Sequence, residues 1–85
     1  MRKLLKFWKE DCPPCEMLSE TFKDIKIDIP MENIYIGRFE NQDLRKEYDI
    51  KYLPTLIILE DDQVVKKIDK FDVRNKQEIE AWING

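Results

Sequence analysis

The chain has 85 residues, 42% of them apolar and 39% charged, with 15 Lys and Arg against 18 Asp and Glu and no histidine. That length bounds it to one domain over residues 1–85, and the mixed composition excludes a disordered tail, a membrane span and a low-complexity polymer. A formal charge of −3 with no basic block argues against nucleic acid as the main partner.

Met1 to Lys6 is positively charged, but Lys6 breaks the apolar run after Leu4 and Leu5, which is too short for a secretory signal. A soluble, cytoplasmic protein is therefore expected, with no membrane partner. Lys3 to Trp8 reads as a short, largely buried strand ending before the acidic turn Glu10-Asp11. Pro13-Pro14 can open a helix but not sit inside one, and Cys15, Leu18, Phe22 and Ile25 then share one helical face. Ile29-Pro30 stops that pattern. Asn33 to Phe39 reads as a second strand, and Asn41 as the cap of a short helix with Leu44 and Tyr48 on its inner side. Thr55 to Leu59 is a continuous apolar run, the mark of a strand covered on both faces. Asp61-Asp62 turns the chain into Val64 to Ile68, giving a hairpin. Glu60-Asp61-Asp62 reads as its tip, and Lys66-Lys67 as a solvated strand face that also guards an edge. Asn75 with Glu78 makes a capping box for a last helix, whose buried stripe is Ile79, Trp82 and Ile83 and whose end suits Gly85. The order β-α-β-α-β-β-α implies an α/β fold: a four-stranded mixed sheet with helices on both faces.

The cysteines carry the chemistry. There are two, Cys12 and Cys15. A disulfide-stapled secreted domain has more, spread out to close long loops, and a bridge this short closes almost nothing. Zinc needs four ligands, so it would require two chains sharing a site; two inert core cysteines are the bland alternative. Redox chemistry is favoured by placement. A strand delivers Cys12 to the mouth of a helix and Cys15 lies within its first turn, where partial positive charge and unpaired N–H groups favour a thiolate. Cys12, at the exposed end, would attack a disulfide, and Cys15, packed toward the sheet, would resolve the mixed disulfide. Pro13 and Pro14 offer no N–H, which leaves the amides of Cys15 and Glu16 as donors to the sulfur. The reversible Cys12–Cys15 disulfide is then the redox group, with no bound cofactor and no metal.

Phe7-Trp8 followed by Cys12-Pro13-Pro14-Cys15 and Met17, with Tyr52-Leu53-Pro54-Thr55 leading into an apolar strand, resembles thioredoxin. The resemblance covers nearly the whole chain, and it is to the minimal core that thioredoxins share with glutaredoxins. It implies a thiol–disulfide oxidoreductase that reduces protein disulfides, works as a monomer and is recharged by a flavin-dependent thioredoxin reductase. Pro54 would be a cis proline facing the cysteines, and the backbone of Leu53 would pair with an extended substrate segment. Trp8 would shield the active-site loop, and Pro13, Pro14 and the turn near Lys70-Phe71 would complete a shallow groove. Taken without the resemblance, Trp8 is equally ordinary core and Pro54 an ordinary strand-opening residue.

The departures from the family pattern also matter. Lys6 stands where thioredoxins carry a buried aspartate that relays the resolving cysteine's proton, and Arg38 is matched to the lysine that pairs with it. Two cations beneath the helix would favour thiolate, and Lys6 would tune the deprotonation of Cys15. Asp11, Glu10 and Glu16 oppose that by placing negative charge around Cys12. The absence of a Gly-Gly pair and the Trp8 context disfavour a glutathione-coupled glutaredoxin. That reading and a non-catalytic thioredoxin-fold binding subunit are the alternatives.

Overall fold

The computed structural model describes residues 1–85. In chain order its elements are β1 (Arg2–Trp8), α1 (Pro13–Phe22), β2 (Met31–Tyr35), α2 (Gln42–Glu47), β3 (Thr55–Glu60), β4 (Gln63–Ile68) and α3 (Lys76–Asn84). The strands form one sheet in the order β2-β1-β3-β4. β1 runs parallel to β2, with Phe7 opposite Ile34, and antiparallel to β3, with Phe7 opposite Thr55. β3 and β4 are an antiparallel hairpin with a register shift between Ile58 and Leu59. Asp61 and Asp62 at its tip both have left-handed backbones, φ 49° and 68°, the conformation a two-residue hairpin turn requires.

The alternation of side chains along β1 and β3 splits the core into two layers. Leu4, Leu56 and Ile58 face α1 and α3, where they pack with Leu18, Ile79 and Ile83. Leu5, Phe7, Ile57 and Leu59 face the other way and pack with Ile34, Ile36 and Ile50, covered by Leu44 and Tyr48 from α2 and its C-terminal cap. Helices therefore lie on both faces, and the long apolar run of β3 is buried on each side as its composition requires.

Several local expectations are corrected. α1 ends at Phe22, because the amides of Lys23 and Asp24 turn back to the carbonyls of Glu20 and Thr21 and tighten the last turn. Ile25 keeps its place in the core from the following loop. β2 begins at Met31, and its ladder with β1 closes where the Ile36 amide donates to the Trp8 carbonyl at 2.7 Å. The chain then leaves the sheet and Phe39 is exposed. Asn41 has a left-handed backbone, φ 58°, and its side chain does not cap α2; its Nδ2 donates instead to the Tyr35 carbonyl at 2.8 Å. Lys66 and Lys67 are not simply solvated. Lys66 Nζ donates to the carbonyls of Trp82 (2.9 Å) and Gly85 (3.3 Å), and Lys67 Nζ to those of Tyr48 (3.0 Å) and Asp49 (2.6 Å). Asn75 behaves as read: its Oδ1 accepts from the Glu78 amide while its Nδ2 donates to the Glu78 carboxylate, each at 3.1 Å.

Candidate active site

β1 is a central strand, so its C-terminal end is fixed by ladders on both sides and presents the next residues rigidly. The chain turns at Asp11, whose φ of 52° is a left-handed conformation that aspartate tolerates better than most residues. Cys12 is extended (φ −122°, ψ 95°) and forms the N-cap of α1, with prolines in the first two helical positions, where a missing N–H costs no bond. The Cys15 amide donates to Cys12 Sγ at 3.3 Å. The Glu16 amide does not reach the sulfur as expected, because it makes the first helical bond, to the Cys12 carbonyl at 3.0 Å. Cys12 and Cys15 are joined as a disulfide with their Cα atoms 5.2 Å apart.

Both cysteines are buried, each 3% exposed, which corrects the expectation of an exposed Cys12. The cause is a loop distant in sequence. The Leu53–Pro54 peptide bond is cis, Pro54 is buried, and the Leu53 carbonyl oxygen lies 3.9 Å from Cys12 Sγ. Thr55 Oγ1 fixes the turn by donating to the Tyr52 carbonyl at 2.5 Å. Pro13 and Pro14 are exposed at the rim. Trp8 is half-buried, its ring 5.0 Å from that of Tyr35 on the neighbouring strand. Phe71 goes elsewhere: it is half-buried in the layer with α3, beside Leu56, Ile68, Ile79 and Trp82, and lines neither cleft next to the cysteines. From the same turn it is Lys70 that reaches the groove edge, its Nζ 3.9 Å from the centre of the Tyr52 ring.

Lys6 is 6% exposed and faces α1. Its Nζ donates to Ser19 Oγ at 2.7 Å and lies 5.2 Å from the centre of the Phe22 ring, and no carboxylate pairs with it. Burial pushes its pKa below the ordinary lysine value. Arg38 is not a second cation beneath the helix. It is exposed in the loop after β2 with its guanidinium over the Phe39 ring, because β2 ends three residues before it.

Two clefts lie on either side of β1's end, and one of them is lined by a cysteine. One, of about 500 Å³, is lined by Cys15 together with Trp8, Asp11, Glu16, Ser19 and Glu20. The other, of about 510 Å³, lies on the Leu53 side and is lined by Tyr35, Tyr52 and basic side chains. Sequence reasoning missed Ser19 and Tyr35. Ser19 follows Cys15 by four positions, one helical turn, which was the available signal. Tyr35 Oη donates to Glu10 Oε1 at 2.8 Å, and that bond pushes the phenol up to about 12. Gly37 lets the Glu40 carboxylate and the Tyr35 ring come close to the backbone, where a Cβ would make both side chains shift. No group of three or more His, Cys, Asp or Glu is arranged to hold a metal ion, and no helix is long and apolar enough to cross a membrane.

A sulfur that accepts a backbone N–H at a helix N-terminus can bear negative charge, and one bonded to a second sulfur within that helix can store an electron pair reversibly. Comparison with known proteins agrees with that chemistry. The family profile described as Thioredoxin matches residues 1–85. A thioredoxin of Rickettsia felis is 31% identical over 85 residues, covering 95% of this chain and 77% of its own. Among solved structures, Chlamydomonas reinhardtii thioredoxin f2 superposes with a TM-score of 0.80 at 17% identity, covering 98% of this chain and 76% of that one. A thioredoxin f2 solved in complex with ferredoxin:thioredoxin reductase gives a TM-score of 0.77 at 24% identity, covering 96% and 74%.

Proposed function

The chain belongs to the thioredoxin family and is a thiol–disulfide oxidoreductase, and from that premise we propose that Cys12 is its attacking sulfur and Cys15 its resolving one. The observation that carries the assignment is the 3.3 Å bond from the Cys15 amide to Cys12 Sγ at the mouth of α1. That donor and the helix dipole stabilise negative charge on Cys12 more than on Cys15. In the reduced protein the Cys12 thiolate attacks one sulfur of a substrate disulfide. A Cys12–substrate bond forms, the substrate S–S bond breaks, and the departing thiolate takes up a proton. The Cys15 thiolate then attacks Cys12 Sγ, closes the Cys12–Cys15 disulfide and releases the second substrate thiolate. Two electrons have passed to the substrate, and the chain is left in the disulfide form.

The rest of the site is read around this step. Leu53, whose carbonyl lies beside Cys12 Sγ, offers backbone to an extended substrate segment, with Pro54, Trp8, Pro13 and Pro14 forming the rim. Lys6 is a positioning residue acting on Cys15 through Ser19, which lines the same cleft as Cys15. Residues 1–85 work as one unit in the cytoplasm, as a monomer that needs no bound cofactor, since the disulfide itself is the redox group. A thioredoxin reductase returns the electrons; the reductase complex of thioredoxin f2 supports a donor of that general class. Reduction of insulin with dithiothreitol as donor tests the reading. Cys12→Ser and Cys15→Ser are each expected to abolish turnover, and Cys15→Ser to accumulate a mixed disulfide. Turnover surviving in Cys12→Ser would exclude the mechanism. Turnover driven by glutathione and glutathione reductase but not by thioredoxin reductase would reassign the donor.

A further inference from the structure

The two clefts at the end of β1 carry opposite charge. The cleft on the Leu53 side is lined by Lys9, Arg38, Arg45 and Lys51 against one carboxylate, Glu10. That carboxylate is already engaged by the Tyr35 hydroxyl at 2.8 Å. Arg45 is steadied by the Ile50 carbonyl, 3.1 Å from its Nε, and Lys51 has only an exposed 3.9 Å contact with Asp49. Glu40 folds over Gly37 at the margin. The cleft on the α1 side reverses the balance, with Glu10, Asp11, Glu16 and Glu20 against Lys9 on its lining, while Lys23 pairs with Glu20 at 3.1 Å and the Lys6 ammonium lies behind Ser19. Cys15 lines the anionic cleft, and Leu53, whose carbonyl lies beside Cys12, lines the cationic one. The disulfide thus borders the anionic cleft directly through Cys15 and meets the cationic one through Leu53, and this contact is the boundary between two fields. Screening in physiological salt acts over about 8 Å, so substrate side chains within a few positions of the attacked sulfur feel both.

We propose that this boundary selects the sequence flanking the substrate's disulfide, the direction of the segment being set by its backbone pairing at Leu53. The arm over Arg38, Arg45 and Lys51 carries acidic side chains, while acidic side chains on the arm over Asp11, Glu16 and Glu20 are repelled. The preferred partner is a protein disulfide with an acidic flank on one side only. The selection rests on Cys12 and Cys15 being the reacting pair.

Three disulfide peptides test it, identical except that aspartates stand before the attacked cysteine, after it, or are replaced by alanines. One aspartate placement is expected to exceed the other in kcat/KM by about fivefold, with the alanine peptide between them. That ratio should fall toward one in about 0.5 M salt. It should shrink in Arg38→Ala/Lys51→Ala and shrink further toward one in Arg38→Glu/Lys51→Glu, where both clefts are anionic. Equal kcat/KM for the two placements, or a ratio that neither salt nor both double variants move, overturns the proposal. Reduction of the alanine peptide by Cys12→Ser would instead overturn the reading beneath it, so the two failures are told apart.

Discussion

The buried ammonium of Lys6 donates to the hydroxyl of Ser19 at 2.7 Å, one helical turn beyond Cys15. A cation held there without a carboxylate partner is costly to the fold, and the cost points in a definite direction with pH. The folded pKa is depressed by burial, so between that value and the ordinary 10.5 the unfolded chain binds more protons. Stability therefore rises with pH through that window. Lys6→Met is expected to stabilise the protein by about 1 kcal/mol at neutral pH and to abolish the rise, as measured by urea unfolding. Lys6→Ala should also alter the reduction potential and the pH profile of disulfide reduction. If neither moves, Lys6 has no part in handling Cys15.

The Tyr35–Glu10 bond has the opposite pH signature. A phenol held up to about 12 contributes stability that is fully present below its ordinary 10.0 and lost as pH rises through the folded value. Ultraviolet difference absorbance should follow Tyr35 ionising late together with Tyr48, which burial also raises, and Glu10→Gln should bring Tyr35 alone back toward 10.0.

Asp11 precedes Cys12 and lines the cleft that Cys15 borders, and its left-handed backbone, φ 52°, closes the turn. Asparagine tolerates that backbone and lacks the charge. Asp11→Asn should therefore speed iodoacetamide alkylation of Cys12 in the reduced protein at neutral pH, because a like charge beside the site disfavours thiolate.

Thr21 is buried in the middle of the fold, and its Oγ1 donates to the Val73 carbonyl at 2.6 Å, tying α1 to the segment that leads into α3. Thr21→Val keeps the shape and removes the donor. It should destabilise the protein by about 1–2 kcal/mol in denaturant melts with turnover per folded molecule unchanged.

What was legible in the sequence is what short-range chemistry decides. Pro13-Pro14 and Asn75 with Glu78 mark helix starts because capping acts within a few residues, and the Cys12 and Cys15 spacing announces a bridge for the same reason. The misread features depend on residues far apart. Cys12 is buried by a loop 41 positions away, and Arg38 lies outside the sheet because the β1–β2 register closes at Ile36. Asn41 follows every compositional rule for a cap, yet its amide is drawn to the Tyr35 carbonyl by the path of that same loop.

The pair Lys66 and Lys67 sits on the outermost strand, and adjacent positions on a strand point to opposite faces. One side chain grips the carbonyls at the end of α3 and the other grips those just after α2. The edge of the sheet is thereby a rivet through all three layers. Peeling β4 from β3 would release both helix termini at once, so backbone amides at these two remote ends should exchange with deuterium in a single concerted opening.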